Sequence, residues 1–227
     1  MKQVSVIKYL KEKNQNNFSI SGIEIRIKDE IKNFSVKEAI TKSFALLPDV
    51  LYSNIRSINI GQFKQLNDRD LNALYTNKNI YITNNQNSIS DFMDDLIHEI
   101  AHLVDEEYNS LIYSDNRIKE EFSLKRKKMW SILKNRGFEL DLKYFLMLQY
   151  NKEFDKFLYL NIGYPALGVM TSNIFYSPYA ATSLKEYFAN AFEGFFFHKD
   201  VDKIKKISPE IYKKLVILNN IQKRGIK

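Results

Sequence analysis

The chain has 227 residues, 44% of them hydrophobic, and no cysteine, which excludes disulfides and any thiolate-held metal. Seven Gly and four Pro beside 16 Phe and 14 Tyr exclude collagen-like and disordered classes and leave a folded chain long enough to bury a core. The formal net charge of +7 raises the question of a nucleic-acid partner. The basic residues are spread along the chain, however, and the densest runs, Lys125 to Lys128 and Lys203 to Lys206, lie in helix-like segments without a nucleic-acid motif, the pattern of solvated helix faces. Met1 to Asn17 is polar and charged, with no apolar run of signal-peptide length, and no stretch reaches the length of a membrane span.

Along the chain, Ile23, Ile25 and Ile27 alternate with charged residues at the period of a half-exposed strand. Ser35 followed by Glu38 reads as a capping box opening a helix that stops before Pro48. Two further strands are predicted around Ile58 and Ile60 and around Ile80 and Ile82, separated by a polar stretch from Gln62 to Lys78. Beyond Ile82 the pattern turns helical: from about Ile89 to Tyr108 behind Ser88 and Asp91, from Asn116 to Lys134, and from Leu140 to Leu160. Gly163, Pro165, Gly168 and Pro178 then predict a loop-rich connection, and two helices, starting near Ser183 and at Ser208-Pro209, close the chain. The expected class is α+β and mainly helical: a single domain over 1–227 with a small N-terminal sheet, an edge strand over the helix at 89–108, and a helical C-terminal half.

The chemistry concentrates in Asp94-Asp95-Leu96-Ile97-His98-Glu99-Ile100-Ala101-His102-Leu103-Val104-Asp105. Residues four apart on a helix lie one above the other, so His98 and His102 can direct two imidazole nitrogens at one Zn²⁺ while Glu99 projects beside them as a general base. An HExxH arises by chance in a chain of this composition roughly two or three times in a thousand. Two of only three histidines occupy it. The third, His198, follows Phe195, Phe196 and Phe197, lacks the spacing of a third ligand on the same helix, and reads as a surface or packing residue. With thiolates excluded, a carboxylate is the better third ligand, and Glu186 and Glu193, seven apart among aromatics, are the candidates. Asp105, one turn beyond His102, either orients a ligand imidazole or is surface charge.

HEIAHLVDE followed by EYFANAF resembles the catalytic domain of anthrax toxin lethal factor and the related clostridial Pro-Pro endopeptidases. The resemblance covers the last 150 residues or so and rests on the joint occurrence of the two motifs. It implies zinc as the single cofactor, a protein or peptide as substrate, and Glu186 as the third ligand. It also implies that Tyr179, seven residues earlier, stabilises the tetrahedral intermediate, with Tyr176 as its competitor. Asn190 stands where that family often has an acid or Ser, and so near the metal. Glu186 also lies three residues after Ser183 and has the place of a capping acid. The interval between His102 and Glu186 is longer than in the family, leaving room for a helical insertion around 111–176. Two rival readings are an inactive relative serving as a structural or partner-binding component of a larger assembly, and a basic nucleic-acid-associated protein with incidental histidines.

Overall fold

The computed structural model describes residues 17–221; the polar N-terminal stretch that lacks a signal-peptide run lies almost wholly outside them. The chain divides into two compact units, one ending at Leu103 and the other beginning at Val104. The first unit holds a five-stranded mixed sheet of order β1-β2-β3-β5-β4. Its strands are β1 (Asn17–Ile20), β2 (Ile23–Ile27), β3 (Ser57–Ile60), β4 (Ala73–Thr76) and β5 (Asn79–Ile82). Ile25, Ile58 and Ile80 stand in register across β2, β3 and β5, as do Ile27, Ile60 and Ile82. Apart from Ile27 these isoleucines are fully buried, which is why the three predicted strands form the centre of the sheet.

The edges depart from expectation. β5 is flanked on both sides, and the outer strand beside it is β4, which falls inside the stretch read as polar connection. The β4–β5 hairpin turns through Asn77 and Lys78, both at positive φ (50° and 64°), a tight turn that normally takes Gly at its second position. A lysine there hides the hairpin. β1 is likewise joined to β2 through Ser21 and Gly22, at φ of 52° and 82°.

Helix α1 (Val36–Phe44) opens as expected on Ser35, whose hydroxyl accepts the Glu38 amide at 3.3 Å. A short α2 (Lys64–Asn67) precedes β4, and α3 (Ile89–Glu107) carries the histidines. The second unit is helical: α4 (Asn109–Tyr113), α5 (Arg117–Asn135), α6 (Leu142–Leu146), α7 (Lys152–Lys156) running into a π-helical turn (157–162), α8 (Tyr164–Thr171), α9 (Leu184–Phe196), α10 (Val201–Ile207) and α11 (Pro209–Asn219). The architecture is α+β and mainly helical, with the sheet near the N-terminus and helices thereafter. No helix among the described residues is long and apolar enough to cross a membrane.

The single helix expected from Leu140 to Leu160 is broken. Asp141 and Asn151 spend their side chains on capping α6 and α7, accepting the amides of Lys143 and Phe154, both at 2.9 Å. The chain between them is extended, and the Leu148 carbonyl accepts the Leu184 amide at 2.7 Å. The region expected as loop contains α8 instead, because Pro165 sits in a first turn, where its missing N–H costs nothing.

Glu121 ties α5 to both α9 and α11, accepting the Tyr187 hydroxyl at 2.8 Å and the Glu210 amide at 3.0 Å. The basic run on α5 is only partly a solvated face. Lys127 and Lys128 are exposed, but Arg126 is fully buried and Lys125 half-buried. The Lys125 ammonium donates to the carbonyls of Ile174 (2.5 Å) and Ile207 and to the Ser208 hydroxyl (3.1 Å). Hydrogen-bonded in this way, the amine closes the C-terminal end of α10.

Burial pushes the Lys125 ammonium down to about 8, with the Glu121 carboxylate partly opposing. In the unfolded chain a lysine titrates near 10.4. Between the two values the unfolded chain binds more protons, so this group makes stability rise with pH across that window. Denaturant unfolding at about pH 7.5 and about pH 9.5 should therefore show a stability change more favourable by about 2 kcal/mol in the parent chain than in Lys125→Met. Equal changes in the two proteins would count against the buried amine.

Candidate metal centre

In the first unit, α3 opens on Ser88, whose hydroxyl accepts the Asp91 amide at 3.1 Å, as the sequence indicates. Gln86, itself buried, donates to Asp95 Oδ2 at 2.8 Å and steadies the same first turns. Phe92, Leu96, Ile97, Ile100, Ala101 and Leu103 have no exposed surface, so the helix is walled by apolar side chains on most of its circumference. His98 and His102 are half-buried on the remaining stripe, their ring centroids 5.0 Å apart and their planes at 82°. Two imidazoles one helical turn apart supply half of a tetrahedral nitrogen-oxygen donor set, and in a chain without thiolates that set fits zinc.

Glu99 is only 7% exposed, and its Oε2 accepts the main-chain N–H of Tyr75 at 2.5 Å. The carboxylate next to the histidine pair is thereby held by the outer strand β4. An edge strand does bear on this helix, but it is β4, inside the stretch read as polar connection; the strand predicted around Ile80 and Ile82 is an interior one.

In the second unit, α9 carries Glu186. Ser183 caps it, its hydroxyl accepting the Glu186 amide at 3.2 Å. The cap and the ligand roles are compatible, because this bond uses the main-chain N–H and not the carboxylate. Glu186 is half-buried and lines a cavity of about 580 Å³ with Asp105, Tyr113, Leu148, Tyr150 and Lys185. Asn190, one turn further on, is buried. Its amide donates to the Glu186 carbonyl at 2.9 Å, and its oxygen accepts the Ser177 hydroxyl. Ser177 Oγ in turn accepts the Ala180 amide at 3.2 Å. Asn190 thus links the helix of Glu186 to the turn that carries Tyr179.

Asp105 is 1% exposed, which rules out the surface-charge alternative. The Tyr113 hydroxyl donates to it. Burial pushes its carboxyl upward, with the Tyr113 hydrogen bond and the Lys185 charge pulling partway back. His198 is a surface residue, as the sequence suggests: its side chain is 39% exposed and its Nε2 lies 3.2 Å from Glu193 Oε1, which engages the competing acid as well.

The two tyrosines also separate. Tyr176 lays its ring on Gly194 and donates its hydroxyl to Asp200 Oδ2 at 2.7 Å, with the Lys203 ammonium 4.4 Å from the ring centre. Tyr179 is half-buried on a 3₁₀ turn (179–181), its ring centroid 6.1 Å from that of Tyr164. Tyr75, Tyr113 and Ser177 are not signalled by any pattern in the sequence. Tyr75 acts through its main chain, which no side-chain pattern reports. Tyr113, eight residues after Asp105, lies on α4, beyond the expected helix end at Tyr108 and in a stretch for which the sequence predicts no element.

Gly194 is set by contact, not by backbone conformation. A Cβ there would lie 2.6 Å from Cζ and 2.9 Å from two further ring carbons of Tyr176. Alanine in a helix interior normally gains about 1 kcal/mol over glycine. Here overpacking against a ring anchored by Asp200 outweighs that gain, so Gly194→Ala should lower stability by about 1–3 kcal/mol in denaturant unfolding. A stabilised variant would show that the ring yields.

Comparison of the chain with protein-family models, curated proteins and solved structures gave no match.

Proposed function

We propose that the chain is a zinc-dependent endopeptidase, with His98, His102 and Glu186 as metal ligands and Glu99 as general base. The observation that carries the reading is the His98–His102 pair on one stripe of a buried helix, with the Glu99 carboxylate held between that helix and the amide of Tyr75. A zinc ion, when bound, supplies Lewis-acid polarisation of a water and of the scissile carbonyl. Glu99 accepts the proton of the attacking water and delivers it to the leaving amine. Tyr179 donates a hydrogen bond where negative charge develops on the carbonyl oxygen. Glu186 offers the oxygen ligand that the histidine pair lacks, and Asn190, bonded to the Glu186 carbonyl, keeps that turn of α9 in place.

Three measurements test this. The purified protein should contain one equivalent of zinc by elemental analysis, and His102→Ala or Glu186→Ala should each lose most of it. Glu99→Ala should retain the metal and lose at least about a hundredfold in peptide hydrolysis. Zinc absent from the parent protein, or hydrolysis undiminished in Glu99→Ala, would overturn the proposal.

A further inference from the structure

Arg126 is a charged residue with 1% of its surface exposed. Its polar partners are main-chain carbonyls. Nη1 donates to Ala181 and, at 3.4 Å, to Thr182, and Nη2 donates to Tyr144 at 2.5 Å. Nε is buried without a hydrogen-bond partner. The guanidinium carbon lies 3.9 Å from the centre of the Phe154 ring, with Phe122 at 5.3 Å and Phe145 at 5.9 Å. Burial of such a cation is costly, and Met or Leu would fill the same space without that penalty. The planar fork does what neither can: it reaches oxygens on two separate segments at once.

Ala181 and Thr182, the residues it reaches, end the turn that begins with Tyr179 and leads through the Ser183 cap into the helix of Glu186. The Tyr179 carbonyl is used inside the turn, accepting the Thr182 amide at 2.9 Å and the Thr182 hydroxyl at 2.8 Å. The carbonyls of Ala181 and Thr182 point out of it and into Arg126. On its other side the turn is tied through Ser177 to Asn190. The Tyr144 carbonyl anchors the same guanidinium to α6, inside the segment that the sequence marks as a possible insertion.

We infer that Arg126 is a positioning residue for the proposed hydrolysis: by clamping the carbonyls of Ala181 and Thr182 it fixes the 179–182 turn, and with it the Tyr179 hydroxyl relative to Glu186. The inference rests on the peptidase reading, and it gives part of the 111–176 segment a purpose, since helix α5 buttresses that turn from behind. Lysine in place of Arg126 keeps a charge but loses the fork, and methionine loses both.

Two readouts test the clamp. Hydrogen exchange of Arg126→Met should rise at least about tenfold at the amides of 180–184, with α11 unchanged, whereas general destabilisation would raise exchange in both. In steady-state kinetics, Arg126→Met should lower kcat by about ten- to a hundredfold, with KM and zinc content retained and Arg126→Lys intermediate. In a Tyr179→Phe background the Arg126 substitution should cost less than about threefold in kcat, because the group it positions is already gone. If Arg126→Met does not fold, Arg126→Lys carries the same comparisons. Unchanged exchange at 180–184, or an undiminished kcat loss in the Tyr179→Phe background, would overturn the clamp. A parent protein that binds zinc but hydrolyses no peptide would overturn the reading beneath it, and the exchange measurement would still show that this failure is a different one.

Discussion

A helix walled by apolar side chains on most of its circumference can carry polar groups only where each has a partner, and this constraint organises the first unit. α3 leaves no exposed surface on six apolar residues between Phe92 and Leu103 and keeps one stripe for His98, Glu99 and His102. A carboxylate with 7% exposure would be a heavy penalty if unsatisfied. The amide of Tyr75 meets it, and an amide in that position exists only because β4 is the outermost strand, with one side of its backbone not engaged by a neighbouring strand. Strand order, helix burial and the chemistry available to Glu99 are therefore one problem with one solution.

The second unit solves a similar problem with cations. α5 sends Lys125 and Arg126 into the interior, where carbonyl oxygens and aromatic faces receive them. Both reach main-chain groups at places where regular hydrogen bonding has run out: the end of α10 for Lys125, the 179–182 turn for Arg126. Irregular backbone inside a core must find donors for its carbonyls, and long basic side chains from a neighbouring helix can provide them. Ser177 and Asn190 hold the same turn differently: the Ser177 oxygen accepts the Ala180 amide while its hydroxyl donates to Asn190, which in turn donates to the Glu186 carbonyl.

The parts legible in the sequence were those with strong periodicity or a definite cap. Alternating isoleucines gave three of the five strands, and Ser35, Ser88, Ser183 and Ser208-Pro209 marked four helix starts at their observed places. The HExxH spacing located the histidine pair. What escaped depends on backbone geometry or on distant partners. The β4 strand hides behind a turn with lysine at positive φ, and the long helix at 140–160 is broken by Asp141 and Asn151, whose capping preference outweighs the apolar period around them. Arg126 looked like one more surface charge, because a run of basic residues does not say which of them turns inward.

The bond between Glu99 and Tyr75 also bears on how the molecule behaves in company. An uncovered sheet margin invites pairing with a strand from another chain, the route by which many β-containing proteins clump. Here that margin is four residues long, and one of its amides is already taken by a carboxylate from within the same unit. Removing that acid would strip the margin of its stopper, so the buried carboxylate beside the histidine pair also helps to keep neighbouring molecules from zipping onto the sheet.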